Sequence, residues 1–521
     1  MGKALKQSAD QQCKQCNDPS HDAKFYALPL WNRDDVAAHI LNGDAIFIYR
    51  SRVVRPSQSW LSKHPGGDLA ILHFVGRDAT DEVDAFHIGP SLKQLIAFSV
   101  ARVHLDHQHG WQAFVPPYMS GWSWKNGKWQ RNADPTHNTP AGVRAEASGY
   151  AHNEINPSSQ ILLVEKGTVP TQSDALKPSI ETISPPPSIL SNKDQLEHSE
   201  AYKILHKRVE DAGLYKTRLI TGLGPDLCIL LGWTWDRIIS IFIADFCGGL
   251  SIGWWVDNHN THHLVTNHPT HDPDIEHLPF FAISPHFLSN LYSSYYKRVL
   301  PFDFASKIFL RIQHKLFYVV MSLARFNLYR LSYAFLFNTF WSKTKARGGR
   351  WSWWGEIIGL AVFWTWYITL LKNIEDWRMR VVYLLISHIT TSPLHIQIVL
   401  SHFSRSTADL GPSESFVHRQ LRTTIDVTCP DSISFIHGGL HLQVTHHLFP
   451  RLPRHNLKRA SKLVKEFCRE QGLEYAEFGG FVEGNREVRG VLRGVAQQVR
   501  VMGMVVDENI KEALEVAPIK A

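Results

Sequence analysis

Two long apolar runs in the second half of the chain constrain its architecture more than any other feature. Residues 351–371 are almost entirely apolar, with Glu356 as the exception, and the run begins with closely spaced tryptophans. Residues 381–403 form a second run, which Pro393, His388 and His395 interrupt. Each run has the length of about 20 residues that a helix needs to cross a bilayer, and tryptophan rings favour the headgroup level. The pair predicts a membrane hairpin; the alternative is two buried helices of a soluble core, where such tryptophan-flanked runs are rare.

Composition sets limits on the rest of the chain. With 521 residues the chain is long enough for two or three domains. A net charge of +7 suits contact with anionic lipid. The sequence has no RNA-binding or DNA-binding motif, so no nucleic-acid partner is expected. The N-terminus has no apolar segment of the kind found in a cleaved signal peptide, and none is expected to be removed.

The six cysteines lie far apart and show no disulfide framework, which favours a reducing compartment. Cys13 and Cys16 form a CxxC motif in a polar tail. A zinc site would need a second pair of ligands, which is absent nearby. The favoured interpretation is therefore a tail without metal, and a metal or redox site is the alternative.

Changes in composition along the chain predict its domain organisation. A strand-like run at residues 45–49, between helical stretches, indicates a compact α+β domain. A polar segment rich in proline and serine follows, which cannot bury enough apolar surface to fold and is predicted to be a tether between independent domains. The predicted divisions are a polar tail (1–25), the α+β domain (26–110), a linker that is Pro/Ser-rich in its later part (111–200), a helical membrane domain (201–490) and a C-terminal tail (491–521).

The α+β domain contains a characteristic histidine motif. His64 begins the sequence HPGG, whose glycines allow the backbone to approach a flat ligand closely. His87 follows 23 positions later, after the text GRDATDE at residues 76–82. Two such histidines can hold an iron ion from opposite faces; the alternative is that HPGG is only a turn.

Residues 26–104 resemble the cytochrome b5 family on these motifs. The resemblance implies a haem b with His64 and His87 as its axial ligands. Two protein ligands leave no open position for oxygen, so such a haem carries electrons.

Two further clusters share one spacing and lie on either side of the predicted hairpin. On a helix, positions i, i+3 and i+4 share a face, so their side chains can converge on a metal ion. Imidazole suits iron, copper or zinc, and the clusters lack the thiolates of structural zinc sites. Because two spans bring the chain back to the side it left, both clusters can form one site. The clusters are His259, His262 and His263 in HNTHH, and Gln443, His446 and His447 in QVTHH.

This half of the chain resembles the front-end desaturases, and among them the fungal sphingolipid Δ8-desaturases. The resemblance rests on both clusters, on a third box that begins with Gln443, and on the text at residues 246–255, 259–280 and 324–333. It implies an α+β cytochrome b5-like haem domain followed by an all-α multi-span membrane desaturase domain. It also implies haem b and two non-haem iron ions, the latter held by the residues of both clusters, with His402 as a candidate additional ligand.

The resemblance implies a reaction and a setting. The expected activity is O2-dependent introduction of a double bond, at Δ8, into the sphingoid long-chain base of ceramide. A front-end fatty acyl desaturase of the Δ6 or Δ5 type is the alternative. Electrons would come from NADH-cytochrome b5 reductase. The protein would lie in the endoplasmic reticulum membrane, with the haem domain and histidine boxes facing the cytosol.

The chain departs from the family at the first histidine box, an HxxxH pair that precedes HNTHH in relatives. Between His206 and His259 the sequence has no histidine. Residues 219–255 barely suffice for one span and a fragment, so about one helical hairpin is missing. Two interpretations follow: a segment has been deleted or mis-spliced, which leaves an inactive membrane haem protein or splice form, or other histidines (His268, His271, His277) complete the site. The nearby sequence HDPD at residues 271–274 is interpreted as a turn rather than a ligand set.

Overall fold

The structure, a computed structural model, falls into an N-terminal α/β unit and a larger helical unit. The predicted CxxC pair, Cys13 and Cys16, lies outside the described residues, as does most of the proline-rich linker. The structure describes residues 24–106, 110–132, 177–216, 233–341 and 349–516.

A four-stranded sheet organises the N-terminal unit, as the apolar run at residues 45–49 predicts. Its strand order is β1-β4-β3-β2, with β1 parallel to β4 and the other pairs antiparallel. The first helix begins at the cap Asn32, whose side chain accepts a hydrogen bond from the backbone N–H of Asp35. The elements are β1 Leu30–Trp31, α1 Arg33–Leu41, β2 Phe47–Tyr49, β3 Arg52–Val54, α2 Gln58–Leu61, α3 Leu69–Leu72, α4 Thr80–Phe86, α5 Gly89–Ile96 and β4 Ser99–Val103.

Part of the sequence assigned to the linker packs on this unit. A hairpin of β5 (Trp122–Lys125) and β6 (Lys128–Arg131) follows the sheet, and Trp129 donates a hydrogen bond of 2.7 Å to the carbonyl of Leu41. The short helix α6 (Ile180–Ile183) ends in a side chain that is fully buried in the same core. The described parts of residues 111–200 therefore belong to packed structure.

The helical unit contains helix α7, which starts before residue 201, and a last helix that continues past residue 490. In the described residues of this unit the strands form two short pairs, β7 with β8 and β9 with β10. The elements are α7 Asn192–Asp211, α8 Trp233–Ile241, a π-helix Phe242–Cys247, α9 Ile252–Leu264, a 3-10 helix Pro285–Leu288, β7 Leu291–Ser293, β8 Arg298–Leu300, α10 Phe304–Ser322, α11 Ala324–Phe340, α12 Gly349–Lys372, α13 Trp377–Ile389, α14 Ser392–Leu400, α15 Phe416–Thr423, β9 Asp426–Val427, α16 Gln443–Leu448, a 3-10 helix Arg454–Asn456, α17 Leu457–Gln471, β10 Glu477–Phe478 and α18 Phe481–Val516.

The predicted membrane hairpin is confirmed. Helix α12 is long and apolar enough to cross a bilayer, and so is the segment Trp377–Leu400, which comprises α13 and α14. Large apolar side chains project outward from both, including Ile358 (61% exposed) and Ile386 (56% exposed). Such exposure is expected where lipid, rather than protein, covers the helix.

A bent helix pair precedes the hairpin. Residues Arg237–Cys247 and Ile252–Leu264 meet at an angle of 107°, and only taken together are they long and apolar enough to cross a bilayer. The bend lies at Gly249, whose φ of +70° suits glycine and whose missing side chain leaves room for Phe363. A bend of this size makes the pair either a broken span or a re-entrant segment.

Glu356, the exception in the first apolar run, holds this bend in place. Its carboxylate accepts hydrogen bonds from Arg237 (2.6 Å), from the Ser251 hydroxyl and from the Gly253 backbone N–H (3.1 Å). The Glu356 side chain is 3% exposed and that of Arg237 9%. A buried charge requires such partners, so α12 carries one acid without losing its apolar surface.

Replacing Glu356 tests this anchor. In Glu356→Ala the buried Arg237 loses its counter-charge, so we expect a loss of about 3–5 kcal/mol of stability, seen as a lower unfolding temperature in nanodiscs. Glu375→Ala, in the exposed turn of the hairpin, is the control and should change little. Equal unfolding temperatures for the two variants would contradict the anchor.

Candidate haem and metal sites

His64 and His87 face each other in the N-terminal unit, as the sequence predicts for two axial ligands. His64 lies in the turn after α2, and His87 is the C-cap of α4. Their ring centres are 6.0 Å apart with an interplanar angle of 34°. An imidazole nitrogen binds a transition metal at about 2 Å, so two rings on opposite sides of one ion stand about 6 Å apart. The spacing therefore fits an iron ion, and the haem around it.

Both rings are oriented by backbone carbonyls. Nδ1 of His64 lies 2.9 Å from the carbonyl oxygen of Gly67, and Nδ1 of His87 lies 3.0 Å from that of Val83. A protonated Nδ1 donates to each carbonyl, which makes Nε2 the metal-binding nitrogen. Burial lowers the pKa of His87, which keeps the ring in the neutral form that binds metal.

The two glycines of HPGG have different roles. A Cβ at Gly66 would lie 2.8 Å from Cε1 of His64, so only glycine leaves room for the ring. Gly67 has a φ of +86°, which glycine adopts without strain. The two glycines of the motif therefore serve different purposes: Gly66 leaves room for the His64 ring, and Gly67 allows the turn.

Six histidines of the helical unit form two groups of three. Within each group the ligand atoms lie within 4.8 Å of one another. Five of the six come from the predicted HNTHH and QVTHH clusters on α9 and α16, and His402, the candidate ligand from LSHF, joins them just after the second span. The groups are His259, His263 and His446, and His262, His402 and His447.

Each predicted cluster divides between the two groups instead of converging on one ion. On α9, positions 259 and 263 lie about 40° apart around the helix axis, whereas position 262 lies about 60° to the other side of 259. The Nε2 atoms of His259 and His263 are 3.1 Å apart, and Nε2 of His446 lies 3.4 Å from that of His259. Ligand atoms bound to one ion at about 2 Å have such spacings.

Neighbouring groups orient the second set of histidines. Asp272 lies 2.9 Å from Nδ1 of His262, and Gln420 Oε1 lies 3.0 Å from Nδ1 of His447. Nδ1 of His402 lies 3.3 Å from the Thr423 carbonyl. In the described residues, the buried Nε2 of His447 has no hydrogen-bond partner. These contacts direct Nε2 inward, as in protein metal sites generally.

Burial also sets the protonation of the ligands that lie outside the spans. Desolvation, with Arg454 and His262 nearby, lowers the pKa of His446 to about 3. Desolvation and neighbouring imidazoles hold the pKa values of His402 and His447 well below their usual range. Neutral imidazoles are the form that binds a metal ion, so this donor set fits iron.

Comparison with known proteins agrees with both sites. The domain description "Cytochrome b5-like Heme/Steroid binding domain" matches residues 32–104, and "Fatty acid desaturase" matches residues 231–479. A Delta 8-(E)-sphingolipid desaturase of Emericella nidulans is 38% identical over 91% of this chain and 95% of its own length. The chain belongs to the cytochrome b5-fused fatty acid desaturases. These are O2-dependent oxidoreductases that act in lipid metabolism.

Two other relatives support the assignment of this chain to the same family. The Delta 8-(E)-sphingolipid desaturase of Komagataella phaffii is 39% identical over 90% of this chain and 94% of its own length. That of Candida albicans is 34% identical over 91% and 96%. No solved structure matches the chain significantly.

Four further candidate residues from the sequence are Gln443, His268, His271 and His277. Gln443 is buried and begins α16, one turn before His446, and its role as a ligand stays a prediction. His268 stacks on His271 at 4.2 Å, and His277 packs against Phe403. None of these three histidines belongs to either group of three in the described part of the chain.

Sequence reasoning assigned no role in orienting ligands to Asp272, Gln420 or Thr423. The sequence HDPD does form a turn, as predicted, because Asp272 accepts a hydrogen bond from the backbone N–H of Asp274. The same carboxylate also orients His262. The sequence indicates this contact only through the position of Asp272, an acidic residue ten positions after His262. Gln420 lies 27 residues before His447, and no local pattern links them.

Substitution of His64 tests the haem pair. His64→Ala removes one axial ligand, so the low-spin haem b spectrum of the reduced protein should disappear. His39→Ala changes a histidine of the same domain that stacks on Trp31, away from the pair, and should leave the spectrum intact. An unchanged spectrum in His64→Ala would remove His64 from the ligand set.

Adjacent histidines on α16 offer a test of the two groups. Because His446 and His447 belong to different groups, each alanine variant should purify with about one non-haem iron fewer, while its haem spectrum stays intact. His441→Ala, a buried histidine outside both groups, should keep the wild-type iron content. Iron contents that do not differ among the three variants would contradict the assignment.

Proposed function

We propose that the chain introduces a double bond, at Δ8, into the sphingoid long-chain base of ceramide. The two groups of three histidines carry this proposal, because they lie against a haem-binding domain in one packed protein. Lipid specificity is supported by relatives named Delta 8-(E)-sphingolipid desaturase that match about nine-tenths of the chain.

Two metal centres would divide the chemistry. His64 and His87 would hold a haem, which would serve electron transfer. Each group of three histidines would hold a non-haem iron ion. Bound iron would supply the oxidant that removal of hydrogen from an unactivated methylene requires. Asp272 and Gln420 would keep the histidines aligned, and Gln443 is a proposed additional ligand.

The protein is proposed to act in the endoplasmic reticulum membrane, with both metal centres facing the cytosol. A two-span hairpin between α9 and α16 returns the chain to its starting side, which supports a shared side for the six histidines and the haem domain. NADH-cytochrome b5 reductase is the proposed electron donor, because a haem with two protein ligands accepts electrons singly and needs such a supply.

Two other functions use the same residues differently. A front-end fatty acyl desaturase would share both metal centres and differ only in the lipid it binds. An inactive membrane haem protein is the second candidate, and the absent first box favours it. The alignment with the Emericella nidulans relative runs over 537 positions, more than the 521 residues of this chain, so that relative has residues that this chain lacks.

Lipid analysis of fungal cells that express this chain in place of their own enzyme tests the substrate and the missing box together. Loss of one ligand-orienting partner commonly costs about 10- to 100-fold in metal affinity or activity, and loss of two ligands should cost more. We therefore expect the chain as it stands to reduce its haem normally but to form at most about one hundredth of a relative's Δ8-unsaturated bases. Insertion of the HxxxH hairpin of a relative between Tyr215 and Phe246 should restore product.

The matched control is His262→Ala in the chain with the restored box. It should abolish desaturation and leave the haem spectrum intact, because His262 belongs to the second histidine group alone. Wild-type rates from the unmodified chain would show that six histidines suffice. Unsaturated acyl chains without Δ8 bases would favour the acyl desaturase, and no product after insertion would favour the inactive haem protein.

A further inference from the structure

The haem domain and the desaturase domain exchange core residues at one contact. Ala85 and Phe86, at the end of α4, pack with the hydrophobic core formed by α7, α15, α16 and α17. In return Leu264, the last residue of α9, is buried in the core of the haem domain. Phe86 immediately precedes the haem ligand His87, and Leu264 immediately follows His263. One packing contact therefore positions residues of both metal centres.

Two arginines of the desaturase domain fix this contact. Arg419 donates a hydrogen bond of 2.7 Å to Glu82, and both residues are buried. Arg451 donates to the carbonyl oxygens of Ala85 (2.8 Å) and Asp84 (3.1 Å). Carbonyls at the end of a helix lack partners within that helix, so Arg451 satisfies the end of α4. The interface is specific, because it pairs buried charges and helix-end carbonyls as well as apolar surface.

The same helix that binds the haem domain also orients the metal ligands. Arg419 and Gln420 are neighbours on α15. Gln420 donates a hydrogen bond of 2.7 Å to the carbonyl of His263, and its side-chain oxygen contacts Nδ1 of His447. Helix α15 thus joins the domain interface to both histidine groups.

Phe86 bridges the two centres. Its ring centre is 6.2 Å from that of His263, with an interplanar angle of 87°, so the two rings meet edge to face. We propose that Phe86 is a positioning residue that holds the haem ligand His87 and the histidine group of His263 in the arrangement for electron transfer within one chain, with the Glu82–Arg419 pair locking that arrangement. This inference rests on the proposed function, since it requires iron in the histidine groups.

The electron balance shows why a fixed contact is useful. Formation of one double bond removes two hydrogen atoms from the lipid, and reduction of O2 to two waters takes up these together with two further electrons and two protons. The haem domain supplies one electron per reduction, so two electrons cross this contact for every double bond, each replaced by the reductase. A docked arrangement avoids a separate encounter between the domains for each electron.

Replacing Phe86 tests the electron path in the full-length, iron-loaded chain that carries the restored first box, and that chain with Phe86 in place is the wild-type reference. Phe86→Leu keeps an apolar side chain but removes the ring. Ile88→Ala, on the other side of His87, is the matched control, because Ile88 is 57% exposed and lies in neither shared core. The haem is reduced with NADH and reductase and then mixed with oxygen and lipid, and its reoxidation is followed by absorbance. We expect Phe86→Leu to reoxidise about tenfold more slowly or worse, since small displacements of reacting groups commonly cost that much.

The haem spectrum and iron content should be the same in wild type, Phe86→Leu and Ile88→Ala. Reoxidation of Phe86→Leu at the wild-type rate would overturn the inference while leaving the proposed function standing. If the chain with the restored first box, carrying Phe86, reoxidised no faster than its iron-free form, the proposed function would be overturned, and the electron path with it.

A second measurement tests the interface without any iron chemistry. Glu82→Gln removes the charge that pairs with Arg419, so hydrogen exchange should rise on both sides of the contact, at residues 80–87 and at residues 416–423. Asp34→Asn, in the exposed first turn of α1, is the control and should leave exchange unchanged. A rise confined to residues 80–87 would indicate a local effect on α4. Either that result or no rise at all would overturn the proposal that the Glu82–Arg419 pair locks the contact.

Discussion

The structure depends on six imidazoles that lie close together, four of them buried and two half-buried. Desolvation and neighbouring groups hold the pKa values of His402, His446 and His447 far below the ordinary value, so these three rings are in the neutral form that can bind a metal ion. The rings need defined orientations, which come from other segments, such as the turn that holds Asp272 and the helix that holds Gln420. The conformations of the loops around α9 and α15 therefore depend on the hydrogen bonds that orient the histidines as much as on apolar packing.

The membrane imposes the second constraint. The two candidate spans lie between α9 and α16 in the chain, and an even number of spans allows these two helices to meet. Glu356 allows a polar anchor inside an apolar span. Its buried carboxylate holds the bend through Arg237 and Gly253, and the outer surface of α12 stays apolar. Buried and paired, this acid adds no charge to the lipid-facing surface.

The domain interface joins the two constraints. A proline-rich connection suggests independent domains, yet the described residues share a buried ion pair and a common apolar contact at Phe86. The connection keeps the local concentration of the haem domain high, whereas Arg419 and Arg451 select one orientation. Fusion of the domains and specificity of the contact are thus separate properties. The side-chain contacts account for the specificity of the contact and not for the fusion.

The sequence by itself determined the features that depend on local spacing. These are the span lengths, the HPGG turn at His64, its partner His87, and the HNTHH and QVTHH clusters. Only the tertiary structure decided how the histidines divide between two groups, where His402 joins them, and that Asp272 and Gln420 orient them. Motif spacing fixes which side chains share a face of one helix, but the partners across helices depend on packing between segments far apart in the chain. The same reason explains why the contact of Phe86 with His263, which joins positions 177 residues apart, has no signal in the sequence.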